Sequence, residues 1–157
     1  MAITQSLCTS FRAEILLAVH DFRNTGGDTF KMALYSSAAT INANTTAYTA
    51  SNEVSHANYT AGGQALTNSG VTATNVNASS GVGFLDFADE TFSNVSITAR
   101  GALIYNSTPS ANGTANTTLT NAAVAVLDFG ADKTATDGDF TVIFPTANSS
   151  NAIIRIA

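Results

Sequence analysis

Residues 99–106 form the most continuous apolar stretch of the chain, and the turn-forming residues Asn106, Ser107 and Pro109 end it. A short run of aliphatic and aromatic residues that stops at a turn signal is typical of a buried strand. Because this run has no polar face, we expect it at the centre of a sheet, covered on both sides.

Two segments of similar sequence lie on either side of this run. Each reads as a strand ending in Leu-Asp-Phe, at residues 85–87 and 127–129, then an acidic turn and a returning strand, at residues 95–98 and 140–144. The pattern predicts two hairpins of the same kind.

Residues 4–23 carry the one convincing helical pattern. Its apolar positions fall within an arc of about 120° at the helical repeat. They are Leu7, Phe11, Ile15, Ala18, Val19 and Phe22. Leu16 and Leu17 lie off this arc, so the helix is either tucked between sheet and loops or touches a neighbouring subunit.

The other predicted strands are short and separated by turns. They are residues 29–35, 64–67, 71–76, 82–87, 139–144 and 151–156, with residues 71–76 polar enough for a sheet edge. Such spacing favours a mainly β, jelly-roll-like or β-sandwich domain with one N-terminal helix. A chain of 157 residues is expected to form a single domain over residues 1–157.

Two polar stretches are predicted to be loops. Residues 36–62 form a long connection, a type that is often functional or mobile, with Tyr48 and Tyr59 as aromatic anchors. Residues 107–121 are the best candidate for an exposed loop tip. Both stretches are expected to reach across to neighbouring molecules.

Charged residues are only 11% of the chain, and the net charge is -5 with six basic residues scattered singly. No basic stripe is present, so we expect neither nucleic-acid binding nor binding to an anionic membrane surface. No apolar run approaches the roughly 20 residues of a membrane span, and no signal-peptide pattern is evident. Folding in a cytoplasm is therefore expected, and the single cysteine, Cys8, excludes an internal disulfide.

Cys8, His20 and His56 are the candidate nucleophile and bases. Within one helix, Cys8 and His20 would lie about 18 Å apart and point in different directions, so they would form no dyad there. Cys8 falls in the apolar arc, and His20 falls opposite it, where it would be solvated. His56 lies in a loop from which it could approach Cys8.

Acidic clusters are the other candidate sites. The first, a possible calcium site, comprises Asp128, Asp132, Asp137 and Asp139. Its spacing departs from a calcium loop, and Asp137-Gly138 reads better as a hairpin turn.

The second cluster comprises Asp86, Asp89 and Glu90, the carboxylates that a glycoside hydrolase would need. Asp86 and Asp128 read better as strand-end residues that bond turn amides. We therefore predict no catalytic, cofactor-binding or metal residues and no enzyme, although a small hydrolase stays as a distant alternative.

Several stretches resemble a family of small virion proteins from tailed bacteriophages, notably those of cyanobacteria and other aquatic bacteria. They are residues 1–22 with Cys8-Thr9-Ser10-Phe11, and residues 30–35, 47–54, 59–63, 99–106 and 151–157. The resemblance runs nearly end to end, and its motifs are structural and not catalytic.

This resemblance implies a structural role in the virion. Some similar proteins are cement, or decoration, proteins on icosahedral heads, where jelly-roll-like trimers clamp neighbouring capsomers. We therefore expect a homo-oligomer, a trimer, that binds the major capsid protein on the head surface after assembly in the host cytoplasm. The alternative is a tail- or fibre-associated module that binds a host surface glycan. A clustered tyrosine face would favour glycan binding, and a self-complementary apolar face would favour assembly.

Overall fold

The computed structural model describes residues 3–111, 114–115 and 118–157, and nearly all of its elements are strands. In chain order they are β1 Ser6–Leu7, α1 Thr9–Leu16, β2 Phe30–Tyr35, β3 Gln64–Ala65, β4 Asn68–Thr74, β5 Val82–Phe87, β6 Glu90–Asn106, β7 Ser110–Ala111, β8 Thr114–Ala115, β9 Ala122–Val142 and β10 Ile154–Ile156. The expected mainly β class with one N-terminal helix is confirmed. No helix in the described ranges is long and apolar enough to cross a membrane.

Two antiparallel sheets make up the sandwich. The larger has the strand order β1-β9-β6-β2-β3, and the smaller has the order β10-β5-β4, while β7 pairs only with β8. Aromatic rings join the two sheets: Phe30 of β2 lies 5.8 Å from Phe87 of β5, centroid to centroid. Phe87 in turn lies 6.3 Å from Phe144. The polar strand predicted at residues 71–76 is the edge strand β4.

The end of β6 is the centre of the larger sheet. Residues 101–106 pair with β2 on one side and with β9 on the other. Leu103 and Ile104 have no exposed surface. The prediction of a central strand, covered on both faces, is therefore confirmed.

Gly101 is needed at this centre because the N-terminal segment of the same chain crosses directly over it. A Cβ at this position would lie 2.4 Å from the carbonyl oxygen of Leu127 and 2.8 Å from Cγ2 of Ile3. The Ile3 side chain thereby seals the face of the sheet next to β1.

The first predicted hairpin is wrong, because β5 and β6 belong to different sheets. β5 ends at Phe87, as the Leu-Asp-Phe pattern indicates, but it pairs with β4 and β10. β6 starts at Glu90 and pairs with β9. The acidic residues between them therefore mark a crossing from one sheet to the other.

The second predicted hairpin is also wrong. β9 runs from Ala122 to Val142 beside β6 without reversing. Asp137 has a left-handed φ of 46°, and Gly138 pairs with Val95 next to a shift in register. The residues that indicated a turn instead form a β-bulge, in which one strand carries an extra residue and bends.

The helix predicted over residues 4–23 is much shorter. Residues Ser6 and Leu7 pair with β9, so sheet hydrogen bonds override the helical pattern there. Ala18 then adopts a left-handed φ of 54°, which ends α1. Val19 and Phe22 are buried although they lie beyond the helix, so the apolar spacing indicated burial and not helical structure.

Residues 36–62 are fixed to their own sheet by hydrogen bonds and ring stacking. The carboxylate of Glu53 accepts hydrogen bonds from the hydroxyls of Tyr48 at 2.6 Å and Tyr59 at 2.7 Å. Tyr105 of β6 stacks on Tyr48 with centroids 4.9 Å apart and donates to the carbonyl of Gly62. The anchoring roles of Tyr48 and Tyr59 are confirmed, and the expected reach of this stretch to neighbouring molecules stays a prediction.

The predicted loop at residues 107–121 is described only in part, because residues 112–113 and 116–117 lie outside the described residues. The backbone of β7 pairs with that of β8. Ser110, the first residue of β7, donates a hydrogen bond from its hydroxyl to Asp28, and Pro109 just before it is buried. This stretch is therefore tied to the fold at its start.

Candidate functional site

A cleft of about 890 Å³, which we call the edge cleft, runs along β9. Consecutive residues of β9 line it, and because neighbouring side chains of a strand point to opposite faces, the cleft must lie beside the strand's edge. Its lining residues are 5–7, 125–129, 133–135, 139–145 and 152–153. β1 covers β9 only at Val126 and Ala125, so the cleft begins where β1 leaves the edge open.

The walls of the cleft are mostly apolar. Leu7, Leu127, Phe129 and Ile153 are partly buried and pack against the core, while Ile143 is 76% exposed. An exposed fraction this large is unusual for isoleucine. The cleft therefore offers apolar surface that this chain does not cover.

The charges at the cleft are few and mostly acidic. Arg100 donates from Nε to Asp128 at 3.1 Å. The backbone N–H of Gly130 and the Arg100 guanidinium hold the pKa of the Asp128 carboxyl below its usual range. Asp139 is exposed and accepts a hydrogen bond from the backbone N–H of Asn94. Lys133 is the one lysine among the lining residues.

A second apolar feature lies at the end of α1. Leu16 is 86% exposed and Leu17 is 71% exposed, the former the largest exposed fraction among the apolar side chains described as exposed. Both lie off the buried side of the helix, where Phe11 and Glu14 face inwards. We call Leu16 and Leu17 the helix tip. Their exposure agrees with the sequence pattern, which placed them outside the buried arc.

Cys8 and the two histidines are held in separate environments. Cys8 is fully buried, and burial raises the pKa of its thiol to about 11, which disfavours the reactive thiolate. His20 is buried and not solvated as expected: its ring nitrogens contact Glu14 at 2.8 Å and Asn106 at 3.0 Å. His56 accepts a hydrogen bond at Nδ1 from the backbone of Asn58.

The polar network around His20 has no counterpart in the sequence predictions. Oδ1 of Asn106 accepts from the backbone N–H of Thr108, so its amide group faces His20 and Asp28. Nδ1 of His20 is then an acceptor, and Nε2–H donates to Glu14. The network joins α1, the following segment and the end of β6, and every polar atom named here has a partner.

The four aspartates of the calcium hypothesis are spread along β9, and Asp128, Asp137 and Asp139 each have their own partners. Asp128 bonds Gly130 and Arg100, and Asp137 accepts from the hydroxyl of Ser96 at 2.8 Å. In the part of the chain that the structure describes, no group of three or more histidine, cysteine or acidic side chains could hold a metal ion. Asp128 was expected at a strand end, bonded to a turn amide; it does accept from the backbone N–H of Gly130, but both residues lie inside β9, so the expected strand end and turn are wrong.

The carboxylates of the hydrolase hypothesis also have separate roles. Asp86 is 2% exposed, and its Oδ1 accepts from the backbone N–H of Phe87, while Oδ2 is buried without a partner. Desolvation raises the pKa of the Asp86 carboxyl, and burial raises that of Glu90. Asp89 accepts from the backbone N–H of Phe144 and so holds the chain after β9.

No protein-family model, curated protein or solved structure matches this chain. The edge cleft and the helix tip are thus the surfaces on which a function can be argued.

Proposed function

We propose that this chain is a structural protein of a tailed-phage virion, a capsid cement protein that binds the major capsid protein on the outside of the head. It acts as a homo-oligomer and bridges capsomers. Its mechanism is mechanical, because added contact area between capsomers raises the free energy needed to separate them. The head then resists the internal pressure of the packaged DNA.

The observation that carries this proposal is the outward placement of aliphatic side chains together with the inward placement of the tyrosines. Leu16, Leu17 and Ile143 are 86%, 71% and 76% exposed. Tyr35, Tyr59 and Tyr105 are buried, and Tyr48 packs against the core. A glycan-binding module would present aromatic rings to solvent, whereas an assembly protein presents apolar surface. This arrangement supports assembly over glycan binding.

The scarcity of charge supports the same proposal. Charged residues are 11% of the chain, where about 25% is usual. A contact built from apolar side chains and backbone groups is screened little by salt. Such a contact suits a particle that must persist in media of varying ionic strength.

Location on the particle tests the proposal. Purified virions imaged with an antibody fragment against this protein should carry the label over the whole head surface. Label confined to the tail or its fibres would contradict the cement role and favour the host-binding module. The control is a fragment against the major capsid protein, which labels the head in either case.

A further inference from the structure

Asp86 of β5 is a buried carboxyl group that uses only one of its two oxygens. The residue is 2% exposed, and its Oδ1 accepts a hydrogen bond from the backbone N–H of Phe87. Its Oδ2 is buried and has no hydrogen-bond partner among the described residues. A carboxylate buried in this way loses its hydration without compensation, whereas the neutral acid loses far less. The fold around Asp86 therefore suits the uncharged side chain.

Two further carboxylates follow Asp86 at the crossing from β5 to β6. Desolvation is the main cause that raises the pKa of the Asp86 carboxyl; the hydrogen bond from Phe87 opposes it, and the charge of Asp89 adds to it. Desolvation by burial also raises the pKa of Glu90. A negative charge on Asp86 would therefore be both poorly solvated and repelled by its neighbour along the chain.

The basic side chains of the elements beside β5 are engaged with other groups. Arg155 of β10 donates from Nε to the carbonyl oxygen of Ser149. Arg23, in the segment that is hydrogen-bonded to β4, pairs with Asp21. β4 itself contains no ionisable residue. In the part of the chain that the structure describes, no cation is therefore paired with Asp86.

Asp86 also lies where the pairing of the smaller sheet is interrupted. The register of β4 against β5 shifts here, so that Ser69 and Gly70 of β4 stand opposite the single residue Asp86. Gly70 has a left-handed φ of 87°, as a β-bulge often requires. On the other side, β5 pairs with β10 only as far as Leu85. Opening of the sheet at Asp86 therefore breaks few ladder hydrogen bonds.

We infer that Asp86 is a proton-dependent latch, which holds the smaller sheet closed while its carboxyl is neutral and lets β4 and β10 open when the proton is lost. In the closed sheet, Oδ1 accepts from Phe87 and Oδ2 carries the proton. The ionised carboxylate gains free energy by reaching water, and the interrupted pairing beside it is the place where water can enter. This inference goes beyond the proposed function and does not depend on it.

Proton linkage gives the direction of the pH dependence. An exposed aspartate releases its proton near about pH 4, whereas the closed sheet keeps the proton on Asp86 to higher pH. Above that pH the open state binds fewer protons than the closed state. Opening therefore becomes more favourable as pH rises, by up to about tenfold per pH unit, which is the limit for one proton.

Hydrogen exchange of the wild-type chain and of Asp86→Asn tests the latch, because the amide is neutral and has nearly the same shape. The two proteins are compared at the same pH, so that the intrinsic exchange rates of the amides cancel. The amides of β4 and β10 should exchange faster in the wild-type chain, by a factor that grows as pH rises above about pH 4. They should also exchange faster than those of residues 101–106, since the larger sheet stays folded.

The matched control is Asp132→Asn, which removes an exposed carboxylate from β9 in the larger sheet. It should leave the exchange of β4 and β10 as in the wild-type chain. A factor that does not change with pH, slower exchange in the wild-type chain than in Asp86→Asn, or the same change in the control would overturn the inference.

The protonation of Asp86 can also be followed in the wild-type chain without any substitution. The carbon-13 resonance of its carboxyl group should still report the neutral acid at a pH where aspartates of the unfolded chain have ionised. Its transition should coincide with the faster exchange of β4 and β10. An Asp86 that ionises at the same pH as in the unfolded chain, or at a lower pH, would refute the latch even if Asp86→Asn failed to fold.

Discussion

The two halves of β6 show how neighbours, more than local sequence, decide what a strand becomes. Residues 101–106 have β2 on one side and β9 on the other, and they are buried on both faces. Residues 90–98 pair with β9 alone, and their side chains alternate between buried Phe92, Val95 and Ile97 and an exposed polar face. Residues 101–106, which we call the sealed half, fix the fold. Residues 90–98, which we call the open half, have no strand on their other side among the described residues.

Most of the irregularity lies in residues 90–98 and at their boundary with residues 101–106. Asn94 and Asp137 take left-handed φ values of 53° and 46°, and Gly130, opposite Arg100, one of 75°. Three of the four register shifts between β6 and β9 fall here, and one falls between Ile104 and Tyr105, where β2 also pairs. Bulges twist and bend a strand. The edge of β9 on the side away from β6, which β1 leaves largely uncovered, is one wall of the cleft.

The largest expected effect comes from a charge in the sealed half. Ile104→Asp should abolish soluble expression, because it buries a carboxylate with no partner in the centre of the sheet. The matched substitution is Ile143→Asp, at a side chain that is 76% exposed. It should change the free energy of unfolding by no more than about 0.5 kcal/mol from the wild-type value. Soluble yield and circular dichroism of both variants measure this. A well-folded Ile104→Asp protein would refute the placement of this strand.

The second-largest effect is expected at alkaline pH, which should lower the free energy of unfolding through the tyrosines that fix residues 36–62. Burial raises the pKa of Tyr105 to about 12. In the unfolded chain a tyrosine releases its proton near pH 10, so between about pH 10 and 12 the unfolded state binds fewer protons and the free energy of unfolding falls as pH rises. Urea midpoints and tyrosinate absorbance should change together over this window. Ionisation of all four tyrosines near pH 10 in a protein that stays folded would contradict this.

Gly101→Ala should have a moderate effect. The new Cβ meets the carbonyl oxygen of Leu127 and the side chain of Ile3, and overpacking of this kind costs about 1–3 kcal/mol. Gly83→Ala is the control in the smaller sheet, because nothing lies within 4 Å of a Cβ there. Chemical denaturation should therefore separate the two variants, and equal midpoints would argue against the tight crossing of Ile3.

The smallest effect is expected on the exposed face of the open half. The hydroxyls of Thr98 and Thr134 lie 2.8 Å apart across the strands. Exposed cross-strand pairs of this kind contribute about 0.2–1 kcal/mol, so Thr98→Ala should lower the free energy of unfolding by no more than this. A larger loss in urea denaturation would show that this face is packed against something.

The sequence was sufficient for features whose signal is local. Residues 99–106 were recognisable as a central strand because an uninterrupted apolar run needs cover on both sides. The exposure of Leu16 and Leu17 followed from their position off the buried arc, and β4 was recognisable as an edge from its polarity.

Features set by distant residues could not be predicted. The length of β9 depends on pairing with β6, so Asp137-Gly138 resembled a turn when read alone. The bonds of Asn106 to His20 and Asp28 span 86 and 78 residues and leave no local signal. The start of the predicted helix is instead a strand, because Ser6 and Leu7 pair with β9, which lies more than 100 residues away in the sequence.

Thermal stability of the capsid tests the central claim most directly. Heads prepared with and without this protein are heated, and DNA release is followed with a dye that cannot enter intact heads. We predict that heads with the protein release their DNA at a higher temperature, and that adding the protein back to bare heads restores the difference. Release at the same temperature from both preparations would contradict the cement function.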